Sequence, residues 1–152
     1  EGIAMSTALR DAAIMLLAGI GIPVLAVLNS QLGARIGAPV AAAVTLFLVA
    51  LAVAVATLLL TGQAHGFARM AGQPWYLFMG GLFVAFYVLS VTWVAPRFGV
   101  GNAVFCVLLG QMFAAALIDH FGLFGAQVYP ITLSRALGIG TMMAGLALIR
   151  LG

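Results

Sequence analysis

The chain has 152 residues, of which 65% are hydrophobic and only 6% are charged. A soluble globular domain is about 45–50% apolar and about 25% charged, so the composition excludes that class and indicates an integral membrane protein. The formal net charge of +3 comes from few, scattered groups, whereas a nucleic-acid partner would need clustered basic residues. We therefore expect the lipid bilayer as a partner and no nucleic acid.

Five apolar segments along the chain predict five membrane-spanning helices, because one span needs about 20 mostly apolar residues. The expected spans are residues 12–32, 39–61, 74–94, 100–118 and 133–149. Pro39 and Pro74 suit the first turns of their helices, where the missing proline N–H costs no hydrogen bond. Residues 95–99 are expected to form a turn, since the residue before Pro96 avoids helical geometry.

These elements predict an all-α membrane protein, with residues 1–11 as an N-terminal tail and residues 12–152 as a single transmembrane domain of five helices. Each span is continuously hydrophobic, whereas the strands of a β-barrel alternate over about 10 residues. The first span is too long for a signal peptide, and the cleavage context near Asn29 is poor. Met5 is either the native start, preceded by four residues left from expression, or an internal residue.

The basic residues are six arginines, and they divide evenly between the two sides of a five-span topology. One side carries Arg10, Arg69 and Arg135, and the other carries Arg35, Arg97 and Arg150. Orientation follows an excess of Lys/Arg in the inner loops, and three against three gives none. We therefore expect insertion both ways round and an antiparallel dimer, with an identical chain or with an oppositely oriented paralogue. Inverted repeats of this kind build sites that open alternately to either side.

Polar residues within the spans are candidates for a substrate pathway, because such groups are costly in lipid. Gln111 lies near the centre of the fourth span, where it would line the pathway or make an interhelical hydrogen bond. Asn29 and Gln31 lie near the end of the first span, at the mouth of a pathway or in the headgroup region. Both interpretations of each residue stay open.

A proline and an aromatic face add further pathway candidates. Pro23 leaves the carbonyl of Gly19 without its helical partner, which produces a broken helix at a substrate site or a tolerated kink. Tyr87 and Ser90 lie three residues apart and share a helix face, as a binding wall with a hydroxyl group or as ordinary packing.

No Asp, Glu, Lys, Arg or His lies near the middle of a span, which argues against proton-coupled export of cations through an embedded carboxylate. No run of Cys and His residues has metal-ligand spacing. The spans also hold no convincing nucleophile or acid pair. We expect no metal, no cofactor and no enzymatic activity.

Two structural contacts are also predicted. Asp119 ends the fourth span and Arg135 begins the fifth; each opposes its helix dipole, so we expect them to pair. On the fifth span, small residues recur at a spacing of four, which brings helix backbones close together in lipid. These pairs are candidates either for the dimer contact or for packing within one subunit: Gly140 with Ala144 and Thr141 with Gly145.

Several stretches together resemble a known family. They are Leu28 to Gly33, Pro74 to Leu77 with Gly80-Gly81, Gly110-Gln111, Asp119 to Gly125, and Leu133 to Arg135, and the resemblance covers nearly the whole chain. These stretches resemble the short five-helix inner-membrane exporters (YdcZ-like) of the drug/metabolite transporter superfamily. The resemblance implies transport of a small organic solute across the inner membrane, by single chains, paired partners or tandem fusions.

The sequence therefore predicts a multi-pass inner-membrane transporter for a small solute, working as an antiparallel dimer by alternating access. The solute would lie between the subunits, near Gln111, Pro23 and Tyr87. The alternative is a non-transporting accessory or assembly subunit of a membrane complex, which would need no polar pathway.

Overall fold

The computed structural model describes the backbone of residues 2–151 and the side chains of residues 7–149 and 151. Expectations about Glu1, about the side chains of residues 2–6 and about the side chain of Arg150 lie outside the described residues. The described chain forms five α-helices: α1 Gly2–Ile36, α2 Pro39–Thr61, α3 Gly80–Phe98, α4 Val100–Phe121 and α5 Leu133–Leu151. Short 3₁₀ segments occupy Gln63–Arg69, Trp75–Met79 and Leu123–Gly125. The predicted all-α class is confirmed.

Four helical segments are long and apolar enough to cross a membrane, and they follow the first four predicted spans. They are Thr7–Ile36, Pro39–Thr61, Trp75–Phe98 and Val100–Phe121. The apolar part of α5, Leu133–Ile149, is shorter. Its 17 residues would extend about 26 Å, slightly less than the hydrocarbon core of about 30 Å. A fifth span is therefore an inference from the sequence and stays a prediction.

Helix α1 is much longer than a bilayer requires. Its 35 residues correspond to about 52 Å at the usual rise, and it runs without interruption past Pro23. Residues 2–11, expected as a tail, continue this helix. Arg10 and Asp11 form an exposed ion pair near its N-terminal end.

Helix α2 has the bounds that the sequence predicts, because both ends carry strong signals. Pro39 begins the helix, and Gly62 follows it in the left-handed conformation at φ 67°. The N–H of Gly62 donates to the carbonyls of Leu58 and Leu59, which satisfies carbonyl groups at the helix end.

The turn predicted for residues 95–99 is wrong over most of its length. Helix α3 continues through Pro96 to Phe98, and the chain leaves the helix at Gly99, where φ is 89°. The N–H of Gly99 donates to the carbonyl of Ala95 at 2.9 Å. Ala95 is only 2% exposed, so packing holds this turn helical against the local preference of a residue before proline.

The described residues fall into two compact units, Glu1–Val100 and Gly101–Gly152, which are treated separately below. In the first unit, α1, α2 and α3 pack against one another. Their contact seam consists mainly of small side chains, which let helices approach closely in lipid. The buried seam residues are Ala26, Asn29, Ser30, Gly33, Ala42, Ala43, Val88, Val91, Thr92 and Ala95.

Candidate substrate pathway

A buried polar pair joins α1 to α3 in the first unit. The amide Nδ2 of Asn29 donates to the hydroxyl Oγ1 of Thr92 at 2.5 Å. Asn29 is 4% exposed and Thr92 is 1% exposed. A polar pair in so apolar a setting must satisfy itself, because hydrocarbon offers no replacement partner. The pair therefore fixes how α1 and α3 face each other at this level.

The same pair is tied to the backbone of α3. The hydroxyl of Thr92 donates to the carbonyl of Val88 at 2.6 Å, one turn earlier. Beside Asn29, the hydroxyl of Ser30 donates to the carbonyl of Val27 at 3.1 Å. Ser30 thus donates its hydroxyl hydrogen within α1, whereas Asn29 forms its hydrogen bond with α3.

A groove between α1 and α2 reaches Asn29. Its volume is about 420 Å³, and Asn29 and Thr45 are the polar residues in its lining. The apolar lining residues are Leu25, Leu28, Leu32, Leu46, Val49 and Ala50. The groove is open and mostly apolar with few polar groups, a lining composition that small-molecule sites share.

A second groove lies between α2 and α3 and contains Ser90. It measures about 580 Å³ and is otherwise lined by Pro39, Val40, Phe86, Leu89 and Trp93. One turn from Ser90, the hydroxyl of Tyr87 is enclosed and has no hydrogen-bond partner among the described residues. A buried hydroxyl without a partner is costly to keep in an apolar setting.

The other predicted pathway residues are more scattered. Gln31 is exposed, and Pro23 is half-buried on the same continuous helix. Gln111 is exposed on α4, in the second unit. The structure thus brings Asn29 to a groove, and Ser90 to another, within one unit.

The second unit is held together at one end by a cluster around Asp119 and Arg135. Their side chains form an ion pair that is 30% exposed at Asp119 and 37% exposed at Arg135. The guanidinium also donates to the carbonyl of Tyr129 at 3.3 Å, and the N–H of Tyr129 donates to the carbonyl of Asp119 at 2.8 Å. His120 Nδ1 accepts from the N–H of Ile131 at 3.1 Å. These bonds fasten the loop between α4 and α5 to both helix ends.

Along α4 and α5 a cavity of about 470 Å³ is lined almost entirely by apolar side chains, with Asn102 as its polar contributor. On α5 itself, Gly140, Thr141 and Ala144 are exposed and Gly145 is half-buried. Apart from chain neighbours and the backbone of the helix itself, no heavy atom of the described residues lies within 4 Å of a Cβ placed at Gly140 or Gly145.

One family comparison decides the relationship of this chain. The family model described as "Putative inner membrane exporter, YdcZ" matches residues 12–148. The chain belongs to the YdcZ family. It is accordingly a multi-pass protein of the inner membrane. No curated protein and no solved structure matches it.

Every candidate pathway residue of this YdcZ-family chain lies within the matched region. Among the described residues, no group of three or more His, Cys, Asp and Glu side chains is placed to hold a metal ion. The polar side chains among the candidate pathway residues are amides and hydroxyls.

Sequence reasoning missed Thr92, and it missed the packing role of Gly33. Thr92 is a hydroxyl residue within a span, four residues after Val88 and three before Ala95, which is the spacing of one helix face. That face is the buried one, so a threonine on it was a signal for a partner to Asn29. Gly33 follows Asn29 by one turn and continues the small-residue face of α1. The contact itself depends on the packing of α1 against α3, which no local pattern specifies.

Proposed function

We propose that this YdcZ-family chain exports a small organic solute by alternating access, as an antiparallel dimer. The observation that carries the proposal is the family match over residues 12–148. The grooves at Asn29 and Ser90 support it, because each combines an apolar lining with few polar groups.

The proposed pathway comprises Asn29, Gln31 and Pro23 on α1, Tyr87 and Ser90 on α3, and Gln111 on α4. Their polar groups are neutral amides and hydroxyls, together with the carbonyl of Gly19 that Pro23 leaves without a helical partner. Without a carboxylate among them, the pathway favours neutral or amphipathic solutes over hard cations.

The proposed dimer rests on different features. Three arginines on either side of a five-span topology give no preferred orientation. On α5, the Gly140–Ala144 and Thr141–Gly145 pairs present small residues with open space at both glycines, which suits a close helix approach. We propose this helix as a dimer contact between identical chains or with an oppositely oriented paralogue.

The test of transport is solute efflux from proteoliposomes. The full chain is reconstituted, a panel of labelled neutral and amphipathic organic solutes is loaded, and efflux is compared with protein-free liposomes. At least one solute is expected to leave faster, and Gln111→Ala is expected to slow its efflux. Equal efflux with and without protein, across the panel, contradicts the proposal. Unchanged efflux in Gln111→Ala removes that residue from the pathway.

An accessory subunit would differ in its water access. In a Cys106→Ala background, a cysteine at position 111 is treated with an impermeant thiol reagent from each side separately. Alternating access predicts labelling from both sides of the membrane. A position that stays unlabelled from both sides indicates a dry bundle and favours the accessory role.

A further inference from the structure

The hydrogen bonds around Asn29 assign which end of its amide faces which neighbour. A threonine hydroxyl has a single hydrogen, and that of Thr92 is donated to the carbonyl of Val88. In this arrangement Thr92 Oγ1 accepts from Asn29, and the amide presents its NH₂ group to Thr92. The opposite orientation would require the Thr92 hydroxyl to turn from the Val88 carbonyl and donate to Asn29 instead.

This orientation leaves the carbonyl Oδ1 of Asn29 for another partner. Within the described part of the chain, the amide bonds to Thr92, and Oδ1 receives no hydrogen bond and is not enclosed. Asn29 lines the α1–α2 groove. The group that Asn29 offers to an occupant of the groove is thus a hydrogen-bond acceptor. The residue as a whole is only 4% exposed.

The rest of the groove agrees with an acceptor site for an uncharged molecule. None of its eight lining residues is ionisable. Its other polar residue, Thr45, donates its single hydroxyl hydrogen to the carbonyl of Ala41 at 2.9 Å. Thr45 therefore also offers a lone pair to the groove rather than a hydrogen. The surrounding leucines and valine suit an apolar body.

We propose that the α1–α2 groove binds an uncharged solute with an apolar body, whose N–H or O–H group donates a hydrogen bond to Asn29 Oδ1. Thr92 is the positioning residue that holds the amide in this orientation. The inference rests on the proposed function, because it names the substrate class of the same pathway. Its test is an equilibrium binding measurement, so it is independent of whether transport is observed.

The experiment uses two probes that differ in one donor: indole, which has an N–H, and N-methylindole, which has none. The sequence contains asparagine at two positions, 29 and 102. A full-length chain labelled with ¹³C at the asparagine side-chain carbonyl therefore gives two signals in lipid nanodiscs, and Asn29→Leu identifies one of them. Titrating each probe and following the Asn29 carbonyl shift reports binding at this atom, separately from partitioning into lipid.

We expect indole to shift the Asn29 signal and to bind about fivefold more tightly than N-methylindole, the ratio for a net hydrogen bond of about 1 kcal/mol. Thr92→Val should abolish this preference, because the amide loses the partner that orients it, while Thr92→Ser should keep it. Thr57→Val is the matched control, since Thr57 likewise donates to a carbonyl one turn back but lies outside the groove. It should leave the preference unchanged.

Three results overturn the proposal. The first is an Asn29 signal that neither probe moves at millimolar concentration. The second is an equal response to both probes, or a preference that Thr92→Val leaves intact. The third is an Asn29 carbonyl shift that indole does not change but dilution of the protein in lipid does. That result would identify a second copy of the chain as the occupant of the groove.

Discussion

Gly33 is a glycine of the first unit where an added Cβ would meet neighbouring atoms within 4 Å, and adding a methyl group there should destabilise the unit. A Cβ placed on Gly33 would lie 3.0 Å from the Cα of Pro39 and 3.4 Å from the Cγ2 of Thr92. Favourable carbon contacts lie at about 3.5–4.0 Å, so the first distance is too short by about 0.5 Å or more. The obstacle is backbone, which cannot turn aside as a flexible side chain can. Overpacking of this kind costs typically 1–3 kcal/mol.

Gly21→Ala is the matched control, because Gly21 lies in the same helix and, apart from that helix's own backbone and the chain neighbours, no heavy atom of the described residues lies within 4 Å of its added Cβ. Both substitutions gain a similar helix propensity, of up to about 1 kcal/mol, so that contribution cancels in the comparison. We expect Gly33→Ala to be less stable than Gly21→Ala by about 1–3 kcal/mol. The assay is reversible unfolding of the full chain in mixed micelles of increasing denaturing detergent. Equal unfolding free energies for the two variants would refute the packing described for α1, α2 and α3.

Two further predictions concern the α4–α5 loop. A double-mutant cycle on Asp119→Asn and Arg135→Gln should give a coupling free energy of up to about 1 kcal/mol, because the pair is partly exposed. This coupling should fall at high salt. Purely additive unfolding free energies would contradict the pairing. Gly122→Ala should release the loop by about 1–3 kcal/mol, since Gly122 has φ 61° and its Cβ would lie 2.7 Å from Val128 Cγ2. Hydrogen exchange at the Tyr129 amide measures that release. Gly125→Ala, with φ 80° but no described atom beyond its chain neighbours within 4 Å of the added Cβ, should have a smaller effect. Equal effects would show that the Val128 contact is unimportant.

The helices were largely predictable because their signals are local. Pro39 and Gly62 mark the ends of α2, and continuous apolar sequence marks the other spans. The end of α3 was not predictable in this way. Ala95 precedes a proline and would locally prefer a non-helical conformation, but the packing of its small side chain overrides that preference.

The candidate site was predictable in part, for a related reason. Asn29 stood out as a polar residue at the end of an apolar span. Its partner Thr92 lies 63 positions away in sequence, and their bond depends on how α1 and α3 pack. The groove has the same origin, since it forms from side chains of two helices and is lined mostly by leucines and valine. Such residues carry no sequence signal that distinguishes a groove from a lipid-facing surface.

The dimer claim depends on the balance of arginines, which is a property of the whole chain rather than of one contact. A one-residue change should therefore alter it. Adding a lysine beside Arg97 creates an excess on one side of the predicted topology and should favour a single orientation. The unmodified chain supplies the reference for this shift.

The most direct measurement is the topology of the unmodified chain in the inner membrane. Single cysteines are placed in the Gln63–Arg69 segment and beside Gly99, in a Cys106→Ala background, and are labelled from outside with an impermeant reagent. Antiparallel pairing of identical chains predicts that each position is labelled in a similar fraction of molecules. Labelling of one position alone, in nearly all molecules, would contradict the homodimer and direct the search to an oppositely oriented partner.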